Sequence, residues 1–214
     1  MIVEFTGESG CGKTTVARKA IELLPEAQGK KSLSGKENLA CFWRVIRNPK
    51  TSKPYKEMVR LMFSVNGMSR LFKNMFYAAG VFNYLLLDAP GSIYIIDQGI
   101  LQLLHTIYFD TDIKGEKYRE IINKLFEKND LYVIACSCGY DLLRQRVNSR
   151  KIDGDGIKRR AEETYEDQFI LHEENLKKVV SAIPSDRYIL VDTGRDMSEN
   201  AKLVCDFIED RRKH

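Results

Sequence analysis

The sequence predicts an α/β fold, a parallel sheet with helices on both faces. Three observations carry that reading. Four short apolar runs, IVEFT (2–6), SIYIID (92–97), LYVIAC (131–136) and RYILVD (187–192), alternate with long stretches of helical periodicity. The first run passes directly into GESGCGKT (7–14), a glycine-rich loop that joins a strand to a helix. The runs end at Gly7, Asp97, Cys136 and Asp192, on the edge where such sheets bind ligands.

Taken in order, IVEFT is the first strand. TTVARKAIELL (14–24) follows as a helix with Val16, Ala20, Leu23 and Leu24 on one side, closed by Pro25 and Gly29. KKSLSG (30–35) is the weak candidate for a second strand. From Lys36 to Leu87 the pattern is helical, interrupted at NPKTSKP and at Asn66-Gly67. SIYIID, bounded by Pro90-Gly91 and Gly99, has the β-branched and aromatic content of a buried strand. Helical patterns at 99–109, 116–129, 139–151, 160–182 and 198–212 separate or follow the later strands. No internal repeat and no linker divides residues 1–214, which read as one domain.

A chain of 214 residues can build one α/β core, or a core with a small lobe. Its 43% hydrophobic and 30% charged content is that of an ordinary soluble protein. No apolar run approaches the ~20 residues that span a bilayer, so no membrane partner is expected. The first strand begins at Ile2, which leaves no room for a leader and points to the cytoplasm. A net charge of +4 suits a small anion better than a nucleic acid, so a nucleic-acid partner is not expected. Five cysteines without a CxxC pair suggest neither zinc nor a disulfide framework; they read as reduced and mostly buried.

The loop reads Gly7-x-x-x-x-Gly12-Lys13-Thr14, the Walker A pattern of the P-loop NTPase fold. Its backbone, from Gly7 through Ser9, Gly10, Cys11 and Gly12 to Thr15, can wrap an anion at the start of the following helix. Lys13 is placed to reach the β- and γ-phosphates, and the Thr14 hydroxyl to bind Mg²⁺. The loop therefore predicts a nucleotide ligand, with ATP as phosphate donor and Mg²⁺ as cofactor. Asp97, at the end of IYII, is the second candidate. It holds Mg²⁺ or orients the attacking group, unless it merely caps the helix that begins near Gly99. The third candidate is DLLRQRVNSRKIDGDGIKRR (141–160). Arg146 and Arg150 share a helix face, and a glycine-containing turn leads to Arg159 and Arg160. Such a basic flap can close on polyphosphate; its alternative is a solvated helix face.

GESGCGKTT, SIYIIDQG and LLRQRVNSR together resemble the nucleoside monophosphate kinase group of P-loop proteins, and thymidylate kinases most of all. The resemblance implies a five-stranded parallel sheet with a small lid at 146–160. It implies that Arg146 stacks on adenine and that Arg150 and one of Arg159 and Arg160 contact phosphates. Because Glu8 stands in the loop where some relatives have an arginine, the catalytic arginine is expected from the lid, with Arg150 and Arg159 the candidates. Two departures concern the acceptor. Asp97-Gln98 replaces Asp-Arg, and SLSGKENLACFWRVIRNP (32–49) stands where those kinases have Arg-Glu-Pro-Gly. Acceptor contacts are therefore sought in the helical region 36–88: Arg44 and Arg47 beside Phe42 and Trp43, then Arg60 and Arg70, and after it Gln98 and Gln102. The bland reading of Met58, Met62, Phe63, Met75 and Phe76 in that region is core.

LSG (33–35), HEENL (172–176) and IDGDGIK (152–158) each lack the residues that would complete a transporter, zinc or calcium motif. The leading reading is an ATP-dependent phosphotransferase acting on a nucleoside monophosphate or related nucleotide. The alternatives are a kinase of a sugar, nucleoside or antibiotic hydroxyl, or a regulatory ATPase that transfers nothing. The partners expected are a small-molecule nucleotide and its acceptor, with a homodimer left open.

Overall fold

The computed structural model of the chain describes residues 1–29, 34–63, 68–86, 92–109, 115–152 and 165–213. Among them five parallel strands form one sheet, in the order β2-β3-β1-β4-β5. The strands are β1 (Ile2–Gly7), β2 (Ala27–Gly29), β3 (Ile93–Ile96), β4 (Leu131–Ser137) and β5 (Tyr188–Asp192). β1 is central: Ile2 stands opposite Tyr94 of β3 and Leu131 of β4. That position explains its mostly apolar composition, because a strand flanked on both sides and covered on both faces buries every side chain.

β2 is Ala27–Gly29, upstream of the expected KKSLSG segment, and pairs with Ile93–Ile95. Of its three residues only Ala27 is buried, so an edge strand this short carries no apolar run to mark it. Within KKSLSG, Ser34 and Gly35 open the next helix, and 30–33 lie outside the described residues.

The helices are α1 (Lys13–Leu23), α2 (Gly35–Arg47), α3 (Ser52–Phe63), α4 (Met68–Tyr84), α5 (Ile100–Phe109), α6 (Gly115–Lys128), α7 (Tyr140–Ile152), α8 (Tyr165–Val180) and α9 (Met197–Arg212). Alternation along β4 sends Tyr132, Ile134 and Cys136 to one face, where they pack with Val16, Ala17 and Ala20 of α1 and Val204 of α9. Leu131 and Val133 meet the other face, with Ile100, Leu101 and Leu104 of α5 and Ile122 of α6. α2, α3 and α4 extend that second core as a helical lobe around Tyr55, Met58, Met62 and Phe82. Met58 and Met62 are fully buried, whereas Phe63 is 58% exposed.

The order of the strands places a crevice. β1 leads into α1 on one face, while its neighbour β3 leads into α5 on the other. Connections leaving on opposite faces open a cleft at the carboxyl ends of those two strands. Gly7 and Asp97 stand on its two sides. No helix among the described residues is long and apolar enough to cross a membrane. All five cysteines are buried and unbridged.

Candidate nucleotide site

The phosphate loop is held by backbone that only glycine permits. Gly7 has φ +142°, and a Cβ there would stand 2.0 Å from the Cys136 carbonyl oxygen. Gly12, with φ +107°, turns the chain into α1 and offers no side-chain cap to the helix. The first N–H groups of α1 are thus left to a ligand, with the positive end of the helix behind them. Ser9 and Thr15 are exposed on the loop and the first turn. Cys11 is buried beneath them, its thiol facing the Cys136 carbonyl oxygen at 3.5 Å. Burial pushes that thiol up from its ordinary pKa, so it packs as a neutral group.

Lys13 is buried, and its ammonium donates to the carbonyl oxygens of Gly7 and Glu8 at 2.8 and 2.7 Å. The next residue crosses the crevice: the Thr14 hydroxyl donates to Asp97 Oδ2 at 3.2 Å. Asp97 therefore meets the loop and does not cap α5. The cap comes from Glu4, a residue that the sequence reading passed over. Glu4 is 1% exposed in the middle of β1 and accepts from the N–H groups of Ile100 and Gln102, each at 2.9 Å. A Cβ on Gly99 would meet the Glu4 carboxyl carbon at 2.2 Å, which accounts for a glycine there. Gln102 passes the connection on, its side-chain carbonyl accepting from Gly7 N–H at 3.1 Å. Glu4 and Gln102 thus tie α5 to both ends of β1's upper half. Nothing in an IVEF run announces this, because one acid in an apolar strand has no local periodicity.

Thr14 and Asp97 suit Mg²⁺. A hydroxyl and a carboxylate beside an anion-binding helix start are the hard oxygen donors that Mg²⁺ takes when substrate phosphates complete its shell. Among the described residues no group of three His, Cys, Asp or Glu gathers to hold a metal by itself.

On the outer side of the loop, Arg146 of α7 donates to Cys11 O at 2.7 Å and to Thr193 O at 2.9 Å. Thr193, just beyond β5, donates in turn to Ser137 O at 3.0 Å. Between these groups opens a cleft of about 240 Å³, lined by Gly12, Thr15, Arg146, Ser149, Thr193 and Met197 among others. Arg150 lies on α7, but its side chain is outside the described residues, as are Arg159 and Arg160 entirely. His172 of α8 places Nδ1 3.1 Å from Glu8 Oε2, joining that helix to the loop.

The acceptor candidates stand on separate parts of the fold, Arg44 and Arg47 on α2 and Gln98 between β3 and α5. Gln98 is exposed, and its backbone carbonyl accepts from Tyr77 OH at 2.8 Å. Burial, with Glu4 and Asp97 nearby, pushes the Tyr77 phenol well above its usual range and keeps it a donor. Arg44 donates to Asn83 Oδ1 of α4 at 2.9 Å, and Arg47 lies over the Trp43 ring, 5.3 Å from its centre.

No protein-family model matches the chain, and no curated protein does. Solved structures do. Deoxyadenosine kinase from M. mycoides with bound dATP overlies it with a TM-score of 0.56 at 18% identity, covering 98% of this chain and 100% of that one. The same enzyme with bound dCTP gives 0.51 at 18% identity over the same shares. The YorR protein from Bacillus subtilis, in complex with phosphorylated GDP, gives 0.54 at 17% identity over 100% and 99%. At these identities the likeness is one of fold, and the fold is the α/β P-loop NTPase fold.

Proposed function

We propose that the chain is a P-loop kinase that transfers the γ-phosphate of ATP to a nucleoside or nucleoside monophosphate. The observation that carries the reading is the Thr14–Asp97 contact across the β1/β3 crevice, with Lys13 beside it. The backbone N–H groups of the loop receive the β- and γ-phosphates. Lys13 exchanges the Gly7 and Glu8 carbonyls for phosphate oxygens, trading neutral acceptors for charged ones. Arg146 braces the loop through Cys11 and presents its planar face to the donor base in the cleft beside Thr193. Residues 146–160 act as the lid, with Arg150 and Arg159 neutralising charge on the transferring group. The region 36–88 holds the acceptor, with Arg44 and Arg47 its candidate contacts there and Gln98 and Gln102 those beyond it.

Mg²⁺ held by Thr14 and Asp97 would supply charge neutralisation at the phosphates. Where the acceptor is a nucleoside hydroxyl, Asp97 is the carboxylate in the crevice able to take its proton. The name of the deoxyadenosine kinase that overlies this chain supports a nucleoside acceptor; the sequence resemblance to thymidylate kinases supports a monophosphate.

ADP release measured with ATP and Mg²⁺ across deoxynucleosides and nucleoside monophosphates tests the reading. One class is expected to stimulate release, and Lys13→Ala to lower the stimulated rate by about 10²–10³-fold. Nucleotide binding with no stimulation by any acceptor would overturn it.

A further inference from the structure

The segment that forms α2 and α3 is one of two strongly basic stretches of the chain, the other being 144–160. Residues 36–63 carry seven Lys and Arg against two Glu, a net +5, while the whole chain is +4. The mild total therefore includes this basic hairpin, with the rest of the chain summing to −1. Both acids of the hairpin are engaged: Glu37 accepts from the Ser34 N–H in a capping box, and Glu57 pairs with Lys124 of α6. Lys53, Lys56 and Arg60 recur at three- and four-residue spacing on the exposed side of α3. Phe63, 58% exposed, ends that row. Among the described residues no carboxylate pairs with any of these three cations. On α2, packed alongside, Trp43 is 48% exposed with the Arg47 guanidinium against its ring.

Cations without counter-charges attract an anion, and exposed rings beside them select its kind. An acidic peptide would satisfy the charge but bring no flat ring to the half-exposed indole beside the Arg47 guanidinium. A bilayer would need a continuous apolar face, whereas the α3 row is three cations before one aromatic. A strand of unpaired bases satisfies both features, with phosphates on the cations and bases on the rings. We propose that the α2–α3 face binds single-stranded nucleic acid. Phosphates sit along Lys53, Lys56 and Arg60, and a base stacks at Trp43.

Trp43 is the sole tryptophan, so its fluorescence reports this face alone. The full chain is titrated with an oligothymidylate of about 12 nucleotides. Saturable quenching is expected, with log affinity falling linearly in log salt. Lys53→Ala/Lys56→Ala/Arg60→Ala, substituted at exposed positions, is expected to reduce that slope by about 2. Lys177→Ala/Lys202→Ala, on α8 and α9, should leave it unchanged. With a dye-labelled oligonucleotide, Trp43→Ala is expected to weaken binding about tenfold. No quenching at about 50 mM salt, or an unaltered slope in the triple variant, would overturn the proposal. So would equal or tighter binding of polyglutamate or of phosphatidylserine vesicles.

Discussion

Burying a carboxylate in the middle of an apolar strand is costly unless its oxygens find donors. Glu4 finds them at the start of α5, where Ile100 and Gln102 N–H groups would otherwise be unpaired. Glu4→Gln keeps the size and substitutes an amide NH₂ that faces a donor. We expect it to cost about 1–3 kcal/mol in urea unfolding; an unchanged midpoint would mean that the cap contributes nothing. A second carboxylate behaves differently. Burial raises the pKa of Glu173 on α8, with Lys177 offsetting part of the shift. The folded chain thus binds this proton more tightly than the unfolded one, so ionised Glu173 weakens the fold at neutral pH. The penalty disappears as the pH falls below the ordinary carboxyl range. Glu173→Gln should raise Tm at about pH 7, and the difference from the parent should close near about pH 4. A gain that persists in acid would assign it to another cause.

At the scale of elements, local chemistry decides what can be read in advance. β1, β3 and β4 are buried on both faces and show as apolar runs, and the loop after β1 is recognisable because its glycines, lysine and threonine are contiguous. β2 is hidden because an edge strand of three residues needs only one buried side chain. The partners of the loop are hidden for another reason: Gln102, Thr193 and His172 meet it from three other parts of the fold, and only the folded topology brings them there. The start of α2 lies between these cases. Ser34 and Glu37 have the spacing of a capping box, and the box forms: Ser34 N–H donates to Glu37 Oε2 at 2.7 Å and Ser34 Oγ accepts from Glu37 N–H at 3.4 Å. The signal lies in SGKE, directly behind a KKSL that competes with it as a strand candidate. Ser34→Ala should cost about 1 kcal/mol, seen as a Tm lower by about 2–4 °C. No change would mean that the helix starts without its cap.

For the whole molecule, the site joins distant parts of the chain through a few polar contacts. Thr14 and Asp97 are 83 residues apart, and Arg146 reaches Cys11 across 135. A nucleotide filling the loop would add contacts to β1, α1, β3 and α7 together, so its binding should register in global stability. At a hundredfold excess over Kd a ligand specific for the folded state adds about 2.7 kcal/mol. For a chain of this size that is a Tm rise of about 5–10 °C. ATP with Mg²⁺ should produce it in the parent chain. Lys13→Ala should abolish most of it, since the ammonium is the one loop cation placed to follow the phosphates. Asp97→Asn tests the other half of the site. It keeps the shape and an acceptor for the Thr14 hydroxyl but removes the charge that holds the metal, so it should retain the rise with ATP alone and lose the increment due to Mg²⁺. A Mg²⁺ increment that survives in Asp97→Asn would move the metal's carboxylate elsewhere and leave Asp97 as a proton acceptor only.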